Sequence, residues 1–186
     1  MYQIKFDRLS FCERSIFMKR KTSYVLLALV AVVLLFVLVT NNNAEEMRVE
    51  EEVYVFLLEN GFSPVQACGI MANIAAISNF DSNATYDFES YEAYGICLWV
   101  GPLRERLEEF AVINGVPVSD IETQLNFMVQ DLQYVISCRG REGEAFLEAD
   151  TPAQAAESFA DLYVRDPNMN YEFLKSKAKD FYRIFN

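Results

Sequence analysis

The chain has 186 residues, enough for one domain of ordinary size plus a further segment. Its net charge of −11 is unevenly divided: residues 1–40 carry Lys5, Arg8, Arg14, Lys19, Arg20 and Lys21 against Asp7 and Glu13, a net of +4, and residues 41–186 are net −15. So acidic a surface repels nucleic acid, and a chain with no His excludes a Ser-His or Cys-His catalyst in its usual form.

In chain order, residues 1–23 read as a basic cytoplasmic segment. Tyr24–Thr40 follows with no charge, no Gly and no Pro. As a helix it spans roughly 25 Å, the short end of what crosses a bilayer core. Lys19-Arg20-Lys21 stands before it and Asn41-Asn42-Asn43-Ala44-Glu45-Glu46 after it, so the basic side stays in the cytoplasm and the rest faces outward. The expectation is a single-pass signal anchor in the cell membrane. The rival is a cleaved signal peptide, against which Ala44 lacks a small residue two places earlier.

Residues 41–59 read as a juxtamembrane linker and helix, with Val49, Val53, Phe56 and Leu57 on one face and Gly61 as its stop. Ser63-Pro64 caps a second helix through Ala67, Ile70, Met71, Ile74 and Ile77. Residues 79–99 mix turn residues with Tyr86, Phe88, Tyr91, Tyr94 and Trp99 and predict a loop with a short hairpin. Helical patterning returns at Leu103–Ile113 and stops at Asn114-Gly115. Ser119 with Glu122 reads as a capping box for a long helix over 120–137. A short helix over 142–149, one from Thr151-Pro152 to about Val164, and a last over 170–184 complete the pattern. The fold class is mainly α, or α+β with a small sheet at most: six or seven helices around an irregular aromatic loop.

Cys12 falls on the cytoplasmic side, and Cys68, Cys97 and Cys138 on the outer side. Those three permit one disulfide, Cys97 with Cys138 or Cys68, or else are small buried hydrophobes. No Cys pair has zinc-site spacing, and neither metal nor cofactor is expected.

Three blocks in series carry a resemblance. The first is Ala72-Asn73-Ile74, then Ala76-Ile77-Ser78-Asn79-Phe80, then Asn83-Ala84. The second is Tyr94-Gly95-Ile96-Cys97-Leu98-Trp99, and the third Glu122-Thr123-Gln124-Leu125-Asn126-Phe127. Together they make residues 60–186 resemble the phage tail lysozyme family, peptidoglycan-cleaving glycoside hydrolases of phage tails and conjugative elements. In that family the first block reads Ala-Glu-Ser-Gly-Phe and the second ends in x-Gln-Trp. The resemblance therefore puts Ile77 at the position of the catalytic acid and Leu98 at that of a cleft Gln.

Glycoside cleavage needs a carboxylic acid to protonate the leaving oxygen, and Ile77 has no proton to give. Asp81, Asp87, Glu89 and Glu92 in or beside the aromatic loop are the carboxylates left to substitute; the alternative is that they cap turns and solvate the loop. As substrate-binding residues the resemblance suggests Ser78, Phe80, Tyr91, Tyr94 and Trp99. Flat aromatic faces stack on pyranose rings, although Tyr94 and Trp99 read rather as core residues under the loop. The implied function is a membrane-anchored extracytoplasmic lysozyme-like domain, catalytically degenerate, that binds peptidoglycan glycan strands or an envelope protein complex. The alternatives are an active muramidase using a loop carboxylate, and a structural or regulatory partner of an active hydrolase.

Overall fold

Helix α1, residues 49–59, opens the part of the chain described by a computed structural model, residues 49–88 and 91–186. It buries Val53, Tyr54 and Leu57 and turns Glu51, Glu52 and Glu59 outward. Gly61 ends it in a left-handed conformation (φ +87°), so that Phe62 N–H donates to the Leu57 carbonyl at 3.1 Å and an otherwise orphaned acceptor is satisfied. The anchor expected at 24–40 lies outside the described residues. Among the described residues no helix is long and apolar enough to cross a membrane.

Helix α2, Pro64–Ile77, starts as the sequence predicts. Ser63 Oγ accepts from Gln66 N–H (3.2 Å), Gln66 Oε1 accepts from Ser63 N–H (2.8 Å), and Pro64 takes the first position. It is buried from Gln66 to Ile74, so its apolar residues run around the helix and not along one stripe. It packs on α6, Pro152–Phe159, and on α7, Tyr171–Phe185. A Cβ on Gly69 would lie 2.6 Å from Ala155 Cβ, so this glycine is what lets α2 and α6 touch backbone to backbone. Asn73, fully buried, donates across that contact to the Ala156 carbonyl (3.0 Å).

The aromatic loop contains the predicted hairpin. Strands β1, Thr85–Phe88, and β2, Tyr91–Tyr94, pair antiparallel with Thr85 opposite Tyr94 and Asp87 opposite Glu92. Helix α3, Gly101–Asn114, stops at Gly115 in the left-handed region (φ +67°). Helix α4, Ile121–Cys138, begins differently from the sequence expectation. The cap is Asp120, whose Oδ2 accepts from Thr123 N–H at 3.0 Å, and the Ser119 carbonyl instead accepts from the Ser82 hydroxyl. A carboxylate one place later reaches the orphan donor, so no Ser119–Glu122 box forms.

Helix α5 is Gly140–Leu147, two residues earlier than expected, because left-handed Gly140 (φ +43°) reverses the chain directly after α4. The helix expected from Thr151 to Val164 is α6 followed by a π turn, Ala160–Val164, closed by Arg165 N–H to the Ala160 carbonyl at 2.7 Å. Helix α7 is clasped to α1: the Tyr54 and Phe185 rings stack at 4.7 Å, and Asn186 Nδ2 donates to the Tyr54 hydroxyl at 2.9 Å. Between the helices lies the core, where Ile70, Met71, Met128, Phe146, Phe159 and Phe181 are all fully enclosed.

The three cysteines of this unit are free thiols. Cys68 is buried on α2, as the apolar reading expects, Cys97 is half-buried, and Cys138 is exposed at the end of α4; no pairing among them forms.

Candidate functional site

The end of α2, the hairpin and the tight turn after β2 meet on one side of the unit. Helix α2 stops because Asn79 (φ +51°) and Phe80 (φ +62°) both leave it in the left-handed region. Asn tolerates that conformation, but for Phe it is strained, and burial of the ring against Phe181 (centroids 6.1 Å apart) offsets the strain. The Ser78 hydroxyl lies 3.1 Å from the Ile74 carbonyl and 2.9 Å from the Ile96 carbonyl, which fastens the helix end to the turn after β2. Asp81 then closes its own turn, its Oδ1 accepting from Asn83 N–H at 2.8 Å.

That second turn is short and fixed from both ends. Tyr94 and Trp99 exchange backbone hydrogen bonds at 3.0 and 2.9 Å, Leu98 N–H donates to the Gly95 carbonyl, and Leu98 sits at φ +48°. Beneath it lies Gln124 of α4, wholly buried. Its Oε1 accepts from Ile96 N–H (2.8 Å), and its Nε2 donates to the Ser82 and Val118 carbonyls (both 2.8 Å). Gly95 makes room for it, since a Cβ there would meet Gln124 Oε1 at 2.6 Å. One carboxamide thus holds the loop after α2, the turn after β2 and the approach to α4 in a single arrangement.

The hairpin presents two different faces. Side chains alternate along a strand, so Tyr86 and Tyr91 share one face with Ala93, as diagonal neighbours at about 7–8 Å. Both rings are exposed, 56% and 48%. On the other face Asp87 and Glu92 stand directly opposite each other. Arg104 relieves that like-charge pair: it bonds Glu92 at 2.7 Å and Glu108 at 3.0 Å, and its guanidinium lies 5.3 Å from the centre of the Tyr94 ring. Burial raises the Tyr94 hydroxyl above the usual phenol value, and Arg104 offsets part of the shift.

The expected residues therefore part into groups. Ile77 and Leu98, both half-buried, flank the junction that Ser78 makes. Tyr91 is on the surface and Tyr94 is half-buried under Arg104. Phe80 (8% exposed) and Trp99 (2%) are core. Asp81 and Glu92 are exposed and engaged, Asp81 in its own turn and Glu92 with Arg104. Glu89 lies outside the described residues.

Trp99 leads into a buried polar group that the sequence reading did not single out. Its Nε1–H donates to the Tyr163 hydroxyl at 3.1 Å, on the π turn. Burial, with Cys97 and Asp131 close by, pushes that phenol well above its ordinary range and keeps it neutral. Asp131 is 2% exposed and ion-paired to Arg106 at 2.9 Å. The signal was present in the sequence: Gln124 and Asp131 both lie on the face of α4 that carries Leu125, Met128 and Leu132, where a polar residue needs a buried partner. Among the described residues no cluster of His, Cys, Asp and Glu could hold a metal ion.

Residues 48–185 match the phage tail lysozyme family. No curated protein matches the chain. With the match covering nearly all of the helical unit, the chain belongs to the phage tail lysozyme family, and its function is peptidoglycan-related.

Proposed function

We propose that this is a catalytically degenerate lysozyme-like domain, anchored in the membrane by residues 24–40 and facing outward, that holds peptidoglycan glycan strands without cutting them. The observation that carries the reading is the end of α2. The family pattern puts its acid at Ile77, an aliphatic side chain, and the single hydroxyl proton of Ser78 beside it faces the backbone carbonyls of Ile74 and Ile96. Glycoside cleavage requires a proton donor there, held on a rigid element. Asp81 and Glu92 are already engaged in a turn and an ion pair. Tyr86 and Tyr91 supply what binding needs, two exposed aromatic surfaces on one hairpin face. An envelope protein complex of a conjugative or phage-derived assembly is the setting this reading implies.

The full chain in detergent should co-sediment with isolated cell walls and leave a peptidoglycan suspension turbid. Changing Tyr86 and Tyr91 together to Ala should weaken co-sedimentation about tenfold, roughly 1.4 kcal/mol. Clearing of the suspension that disappears in Asp81→Asn or Glu92→Gln would show an active muramidase instead. Failure to sediment at all would leave a purely structural or regulatory partner. Ile77→Glu tests the scaffold: in an otherwise intact cleft it restores cleavage, at a cost of about 1–3 kcal/mol for a carboxyl among apolar neighbours.

A further inference from the structure

A groove of about 620 Å3 lies between the ends of α1 and α3 and the outer face of α4, and none of its lining residues belongs to the end of α2 or to the hairpin. It is lined by the carboxamides of Asn60, Asn114, Asn126, Gln130 and Gln133, with Phe110 among them. Asn126, Gln130 and Gln133 follow one another at helical spacing on α4 and so form one row. The three asparagines are oriented by their own helices: each Nδ2 donates to the carbonyl four residues earlier, at 2.9 Å for Asn60, 2.7 Å for Asn114 and 2.9 Å for Asn126. Each carboxamide still has an amide hydrogen and a carbonyl oxygen to offer a ligand.

The lining also decides what the ligand is. No Lys or Arg takes part, so phosphates and other anions find no counter-charge. Of the two carboxylates present, Asp120 caps α4 through Thr123, which leaves Glu122 as the one not spent on a cap. Phe110 and Val116 (40% exposed) add an apolar strip beside the amides. Uncharged groups that each donate and accept, set against an apolar strip, match vicinal hydroxyls and the C–H face of a pyranose ring. The volume falls in the range of small-ligand sites, about 300–1,000 Å3.

We infer that this groove is a second binding site, for a neutral oligosaccharide. It stands independently of the hairpin reading. The test titrates the full chain in detergent micelles with chitotetraose and with cellotetraose, following the side-chain NH2 signals of the asparagines and glutamines by NMR. The expected result is that the groove's NH2 signals move, and that the double variant Gln130→Ala, Gln133→Ala binds at least tenfold more weakly. Both positions are exposed and Ala is a strong helix former, so the fold is retained. Response to chitotetraose alone identifies acetamide recognition, and response to both sugars identifies hydroxyl recognition; either supports the site. Binding that survives the glutamine pair but is lost in Tyr86→Ala, Tyr91→Ala overturns the groove and leaves the hairpin reading standing. Binding lost only in the glutamine pair supports the groove and counts against the hairpin. Silence toward both sugars overturns the groove.

Discussion

Gln124 makes three hydrogen bonds to backbone from inside the unit. Gln124→Leu keeps the shape while leaving an N–H and two carbonyls to find partners. At about 1–3 kcal/mol for each buried group, the loss of stability should reach roughly 3–5 kcal/mol, measured by urea unfolding. A change under 1 kcal/mol would mean that water replaces the carboxamide. Gly95→Ala attacks the same contact from the other side, through a Cβ forced onto Gln124 Oε1 at a positive φ, and should cost about 1–3 kcal/mol. The sequence marked Gln124 as part of a motif but not as the fastening. Its partners Ile96 and Ser82 are 28 and 42 residues distant, and a one-dimensional pattern does not pair such positions. Trp99 shows the same limit: its composition allowed both a sugar platform and a core residue, and its enclosure against Phe127 and Tyr163 comes from elements far along the chain.

At the scale of elements, the α2–α6 contact leaves no room for a side chain at Gly69. Gly69→Ala would set a methyl 2.6 Å from Ala155 Cβ and 2.7 Å from backbone, and neither can move away cheaply. The helices must part, which should lower stability by about 1–3 kcal/mol and the melting temperature with it. Gly115→Ala is the contrast. Its Cβ would enter open space, so only the left-handed backbone resists, at roughly 1–2 kcal/mol, and the helix packing should remain as it is. Which elements exist was largely legible because their signals are local. Ser63-Pro64 and Thr151-Pro152 form the caps they announce, and the turn-rich aromatic stretch holds the short hairpin. The capping of α4 by Asp120 in place of Ser119 and the π turn after α6 were not, and both involve partners outside the element: Ser119 is bonded by Ser82, and Tyr163 meets Trp99. The candidate site was legible as a region. Its division into exposed tyrosines and buried aromatics followed only once the strand register was known.

Over the whole unit, the resolved shifts of thiols and phenols point one way. Burial pushes the Cys68 thiol up to about 12 and raises Cys97, Tyr54, Tyr94 and Tyr163, and a hydrogen bond to Asp161, with burial, takes Tyr171 to about 12. Unfolded thiols and phenols lose their protons near pH 9 and 10, while the native chain keeps them. The unfolded state then binds fewer protons than the native one, so stability falls as pH rises. Stability should hold below pH 9 and decline from there toward pH 12, each buried group adding up to about 1.4 kcal/mol per pH unit. Urea titrations at successive pH values under reducing conditions check this, and constant stability between pH 8 and 11 would contradict it.

The clasp between α1 and α7 also has a mechanical meaning. A pull delivered at the start of α1 bears on the Tyr54–Phe185 stack and the Asn186–Tyr54 bond. The hairpin and the turn under Gln124 lie in the middle of the sequence and are fixed to α2 and α4. Were the unit held through α1 as proposed above, a pull there would bear on its clasp to the last helix, while the aromatic face stays fastened to α2 and α4 by the Ser78 and Gln124 hydrogen bonds.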